Sequence, residues 1–93
     1  MGFDQNSAAE KAKEDLSKRL GIDASKIETA SVSSKEFPDM SLGAPVNDEM
    51  SAQMIAYGWE ITLRADGSDY HYRGDKYQLR LKDYKGSNHI VVS

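Results

Sequence analysis

The sequence contains no cysteine, two prolines, two histidines and one tryptophan among its 93 residues. Without cysteine there are no disulfides and no thiolate metal sites, and thiol usage says nothing about the redox compartment. No apolar run approaches the roughly 18 residues of a membrane span, and Met1 to Leu20 lacks the apolar centre of a signal peptide. An opening of Met1-Gly2 on a polar stretch also fits the mature part of a longer exported protein. Charge of one sign is lacking too: twelve basic residues stand against fifteen acidic ones, for a net charge of −3, with no long block of either. Phosphate binding needs a clustered basic field, so nucleic acid is excluded as a partner. Serines abound, but no G-x-S-x-G or comparable nucleophile context occurs, so the expectation is a protein without catalysis and without a cofactor.

The content fits a folded chain. Hydrophobic residues make up 39% and charged residues 29%, the balance of a single domain, residues 1–93, with one modest core. Ser7-Ala8-Ala9-Glu10 has the S-x-x-E spacing of a capping box, and Ala9, Ala12, Leu16 and Leu20 recur at helical spacing. Glu14 with Lys18 and Asp15 with Arg19 form i,i+4 pairs, and Gly21 supplies the left-handed residue that ends many helices. Asp23 to Lys26 reads as one capped turn leading into a first strand, Ile27 to about Glu36.

The clearest alternation is Tyr57, Trp59, Ile61 and Leu63 against Gly58, Glu60, Thr62 and Arg64, a half-buried strand. Asp66-Gly67 is a hairpin signal, after which Tyr70 and Tyr72 continue the pattern. Further turns at Gly74 to Lys76 and Asp83 to Asn88 lead to Tyr77, Leu79 and Leu81 and then to Ile90 to Val92. The predicted class is α+β: one N-terminal helix packed on an antiparallel sheet of four to five strands, with a long loop between strands 1 and 2.

That loop, Phe37 to Gly58, holds both prolines and three of the four methionines. Connections longer than about 12 to 15 residues are uncommon in compact domains and are often functional. Phe37, Pro38, Asp39, Met40, Leu42, Pro45, Met50 and Met54 are the candidate binding residues. The flexible thioethers either plug the open end of the core or offer an adaptable surface. Asn47 to Met54 is expected to be the more mobile half. His71 with Asp66, Asp69 and Asp75 matches no zinc or calcium spacing, so no metal is expected. Arg73-Gly74-Asp75 spells the tripeptide that integrins recognise, but glycine and aspartate are also what a tight turn needs. The set of Tyr57, Trp59, Tyr70, Tyr72, Tyr77 and Tyr84 reads as core rather than as a ligand platform.

Phe37-Pro38-Asp39-Met40-Ser41-Leu42-Gly43-Ala44-Pro45, with Tyr57 to Leu63 and Tyr70-His71-Tyr72-Arg73 after it, resembles a group of small bacterial and archaeal exported domains. Those read W-P-D-x-S-L-G-C-P, then Y-x-I-x-L, then Y-x-Y; here Phe37 replaces the Trp and Ala44 the Cys. The resemblance implies a secreted or cell-envelope setting and no assigned activity. Helix-then-meander order is similar, more loosely, to PepSY-like and cystatin-like domains, which often bind or inhibit proteases, though no Q-x-V-x-G is present. The resulting expectation is a monomeric, non-enzymatic exported module that contacts a protein, a protease among the candidates, through residues 37–58. The alternatives are a carrier holding a small apolar molecule between helix and sheet beneath the methionines, and a purely structural accessory domain.

Overall fold

The structure, a computed structural model, describes residues 2–92. Its first element is helix α1 (Gln5–Leu20), capped by Asp4. The Ser7 amide donates to Asp4 Oδ1 at 2.8 Å and the Asp4 amide to the Ser7 hydroxyl at 2.9 Å. The capping box therefore sits three residues earlier than the Ser7-to-Glu10 spacing predicts, and the buried stripe is Ala8, Ala12 and Leu16, all 0% exposed. Ala9 and Leu20 lie at its margin. Two contacts set this rotation. The Phe3 amide donates to the Lys76 carbonyl at 2.8 Å, fixing how the chain enters the helix. Ala8 then faces Gly74, where a Cβ would lie only 3.8 Å from that of Ala8, so small side chains on both sides let helix and sheet approach.

Gly21 ends the helix at φ 67°. Its amide and that of Ile22 both reach the Ser17 carbonyl, and Ile22 packs back onto the core. A short turn, Ala24–Lys26, follows, capped by Asp23.

Five strands, β1 (Glu28–Phe37), β2 (Ala56–Ala65), β3 (Ser68–Asp75), β4 (Leu79–Tyr84) and β5 (Ser87–Val92), form one antiparallel sheet in sequence order. The expected meander is thus present, and the fold is α+β. Asp66-Gly67 and Lys85-Gly86 close two of its hairpins with consecutive positive φ values, 51° and 77°, then 52° and 81°, the geometry whose twist matches flanking strands. Pairing of Ile61 with Tyr72 and of Tyr72 with Leu81 aligns a row beneath α1. There Ile61, Leu63, Tyr72, Leu79 and Leu81 are all 0% exposed. Each fully buried aliphatic of this kind contributes about 1.5–3 kcal/mol. Trp59 is only half-buried against this core, and Tyr57, expected on the buried face, is 70% exposed beyond the part that α1 covers.

The opposite face of the sheet, which a two-layer arrangement leaves open, is partly covered. Register places Phe37, Ala56, Gly58, Glu60, Arg73 and Arg80 on it, and the segment 38–55 folds back across it like a strap. Ser41, Leu42 and Ala44 are buried there at 4%, 0% and 0% exposure, and Leu42 joins Phe37 and Ala56 in a second small core. Gly58 is required beside it, since a Cβ would run into the Gly74 carbonyl oxygen of the neighbouring strand. No helix among the described residues is long and apolar enough to cross a membrane.

Candidate functional site

Four side chains, three from strands and Gln78 from the β3–β4 turn, hold the strap by its main chain. Arg73 Nη1 donates to the Leu42 carbonyl at 3.1 Å, Gln78 Nε2 to Met40 at 2.6 Å, Arg80 Nη1 to Ala44 at 3.1 Å and Asn88 Nδ2 to Pro45 at 2.8 Å. The first three satisfy loop carbonyls that burial would otherwise leave unpaired, and the fourth pins the exposed end of the arm. Gly43, at φ 70°, has no Cβ where the Arg73 guanidinium sits, so it admits the first of these contacts.

Arg73 and Arg80 are direct cross-strand partners, a like-charge juxtaposition that costs stability unless each charge is neutralised. Glu60 neutralises Arg73 at 3.0 Å. Glu49, from the strap, takes both terminal nitrogens of Arg80 on its two oxygens. The Arg80 and Glu49 side chains are 5% and 17% exposed. Hydrogen bonding from Arg80, more than its charge at a distance, holds the Glu49 carboxyl below the usual glutamate range and outweighs the opposing effect of burial. Asp39 is likewise held low, by the Ser41 hydroxyl and amide that donate to its Oδ1.

The strap therefore has two unlike arms. In the first, Asp39 to Ala44, side chains are buried or turned onto the sheet. Phe37 and Leu42, expected to meet a partner, are 1% and 0% exposed; they belong to the core, because the strap lies on a sheet face that was expected to be bare. Met40 packs half-buried against them, while Pro38 and Pro45 are exposed at either end of the arm. In the second arm Met50 is 98% exposed, Met54 64% and Ile55 57%. Methionines that the sequence leaves open between plug and surface are thus divided, with Met50 and Met54 on the surface. The Met40 amide bonds the Ala52 carbonyl at 3.1 Å and ties the arms together. Glu49, in the half expected to be mobile, is the anchor of the second arm.

The sequence groups Ile55 with the loop methionines without making it a candidate binding residue, and the exposed side of Tyr57 was missed. Both extend the apolar surface of the second arm into β2, and the only available signal was an unbroken Met54-Ile55-Ala56-Tyr57 run where a polar loop end was expected. Tyr77, 69% exposed, emerges at the same end of the sheet, in the β3–β4 turn.

Other candidates disperse. Arg73 is beneath the strap, and Asp75 is 4% exposed, accepting the Tyr77 and Gln78 amides at 2.7 and 2.9 Å. The Arg-Gly-Asp tripeptide is therefore a turn cap and a strap anchor, not a presented ligand. His71 reaches only Thr62, at 3.5 Å, and His89 lies against the Tyr84 ring, 5.7 Å between centroids. No group of three or more potential metal ligands forms among the described residues. Among the described residues α1 and the strap lie on opposite faces of the sheet, so helix, sheet and methionines do not bound one common space.

Fold and strap together define a small α+β domain in which a five-stranded meander is faced by a helix on one side and by a clasped loop on the other. The chain belongs to the family described as a domain of unknown function (DUF8738), which matches residues 9–81. That span runs from α1 through the strap to β4. No curated protein and no solved structure matches the chain.

Proposed function

We propose that this domain is a non-enzymatic binding module of the exported or cell-envelope compartment, contacting a protein through the second arm of its strap, Met50 to Tyr57. One observation carries the reading. Four side-chain bonds to its carbonyls, the Arg80–Glu49 pair and the Met40–Ala52 main-chain bond hold the strap, yet the arm they position exposes Met50, Met54 and Ile55 instead of burying them. Adaptable thioethers beside a rigid aromatic are the composition of a recognition surface, and an ordered base lowers the entropy lost when such a surface is engaged. The likeness of Phe37 to Pro45 to exported domains supports the compartment.

A photoreactive residue placed at Met50, with a control at Lys18 on the outer face of α1, tests this in cells that export the protein. The expected result is a discrete adduct from position 50, none from position 18, and its loss when Met54 and Ile55 are changed to Ser. Equal adducts from both positions, or an adduct indifferent to those changes, would overturn the proposal.

A further inference from the structure

A second surface follows from β1. It is an edge strand, pairing with β2 alone, and it runs for ten residues, about 33 Å at the usual rise. Edge strands expose a row of unpaired amides and carbonyls, and proteins guard them with proline, short length or cover. Between Glu28 and Phe37 there is no proline, and Glu28, Thr29, Ser31 and Ser33 to Glu36 are exposed. Near its start the strand carries a bulge: Thr29 pairs with Leu63 and Ser31 with Thr62, leaving Ala30 as the extra residue.

We propose that β1 pairs antiparallel with β1 of a second copy of this chain, about a two-fold axis through Val32. The sequence is complementary to itself in that register. Val32 meets Val32 of the second copy on the helix-bearing face, and Ser31 meets Ser33 on the strap-bearing face. Past the extra Ala30, Thr29 falls opposite Ser34 and Glu28 opposite Lys35, and each of these pairs occurs twice. Every pair also agrees in facing. Val32, Thr29 and Ser34 align with Ile61, Leu63 and Trp59, whereas Glu28, Ser31, Ser33 and Lys35 align with Arg64, Thr62, Glu60 and Gly58.

The bulge is what makes the charges match. Without an extra residue the same axis would set Glu28 against Glu36, a repulsion repeated by symmetry; with it, two Glu–Lys attractions form. The outcome is a continuous ten-stranded sheet with both helices on one face and both straps on the other. Polar strand edges alone bury little area, so the association is weak. It replaces the monomer expected from the sequence and leaves Met50 to Tyr57 free.

Sedimentation velocity from about 10 µM to about 1 mM, with circular dichroism to confirm folding, tests the pairing. Wild-type protein should dimerise across that range. Glu28→Lys and Lys35→Glu should each weaken the dimer about tenfold or more, and the double reversal should restore it. A monomer throughout, a dimer indifferent to the single reversals, or a double variant that fails to recover would each overturn the register and the proposal.

Discussion

Removing Glu49 should destabilise the domain more than removing Arg80, although the two form one ion pair. Arg80 projects from β4 into a buried setting and has nowhere else to go, whereas Glu49 sits on a strap that can swing its carboxylate into water. In Glu49→Ala the guanidinium keeps the Ala44 carbonyl and the Gln78 side chain, at 3.1 and 2.8 Å, but loses its counter-charge. Breaking a buried pair by deleting one partner costs about 3–5 kcal/mol, and the retained bonds put this case near the lower end, about 3 kcal/mol. Arg80→Met fills similar volume, frees Glu49 to solvent and forfeits the bonds to the Ala44 carbonyl and the Gln78 side chain, a loss of about 2 kcal/mol. The double variant should match Arg80→Met to within about 1 kcal/mol, because once the cation is gone the carboxylate keeps only the Val46 amide, at 3.2 Å. Urea unfolding followed by circular dichroism resolves these differences, since a chain of 93 residues is stable by about 5–14 kcal/mol.

A pH series adds a sign. The folded-state pKa of Glu49 is depressed, so its contribution is present above about pH 4.3 and is lost as pH falls through the lower folded value. Glu49→Ala should lack that part of the acid loss. An Arg80→Met variant less stable than Glu49→Ala, or strictly additive losses, would refute the argument that the rigid partner is the trapped one.

Gly58→Ala should cost at least about 2–3 kcal/mol, read as a fall in Tm, because the new methyl meets a backbone carbonyl oxygen that cannot move without parting β2 from β3; an unchanged Tm would show that the strands can separate there. Tyr72→Phe should cost about 1 kcal/mol, the bond of 2.8 Å to Asp15, which keeps Arg19 at 2.6 Å. Burial foremost, with that bond, pushes the Tyr72 hydroxyl well above the ordinary tyrosine range, so its contribution is present below about pH 10 and declines as pH rises beyond it. Absorbance titration should then find one tyrosine that ionises only on unfolding. Trp59→Ala should cost about 1–3 kcal/mol, less than the 3–5 of a fully buried aromatic, with emission between the buried and solvent limits; a fully blue-shifted maximum would contradict its half-exposure.

The meander was legible because turn chemistry and alternation agree: Asp66-Gly67 fixes a hairpin and Ile61, Leu63, Tyr72 and Leu81 fix its inner face. The helix start was legible only to within a turn. Asp4-x-x-Ser7 and Ser7-x-x-Glu10 both satisfy the local pattern, and the choice is made by Phe3 bonding Lys76 and Ala8 meeting Gly74, contacts with residues far along the chain. The second layer was not legible. Glu60, Arg73, Gln78 and Arg80 look like a solvated strand face, since a sequence does not reveal that a loop lies across them. Of the candidate loop residues, Met50 and Met54 are exposed as a binding surface requires. Phe37 and Leu42 are not, because apolarity marks core and contact surface alike.

The grip on the strap has a consequence for how the domain can change. Arg73, Gln78, Arg80 and Asn88 take hold of carbonyl oxygens, which every residue type possesses, whereas the residues held through what is particular to them, Glu49 with Asp39, Ser41, Leu42, Gly43 and Ala44 of the first arm, lie outside the exposed arm. Positions such as Met50, Met54 and Ile55 can therefore be rewritten without loosening the frame that carries them. On the proposed reading, the scaffold separates the task of standing still from the task of being specific, and altered preference for a partner would arise through single substitutions that leave folding intact.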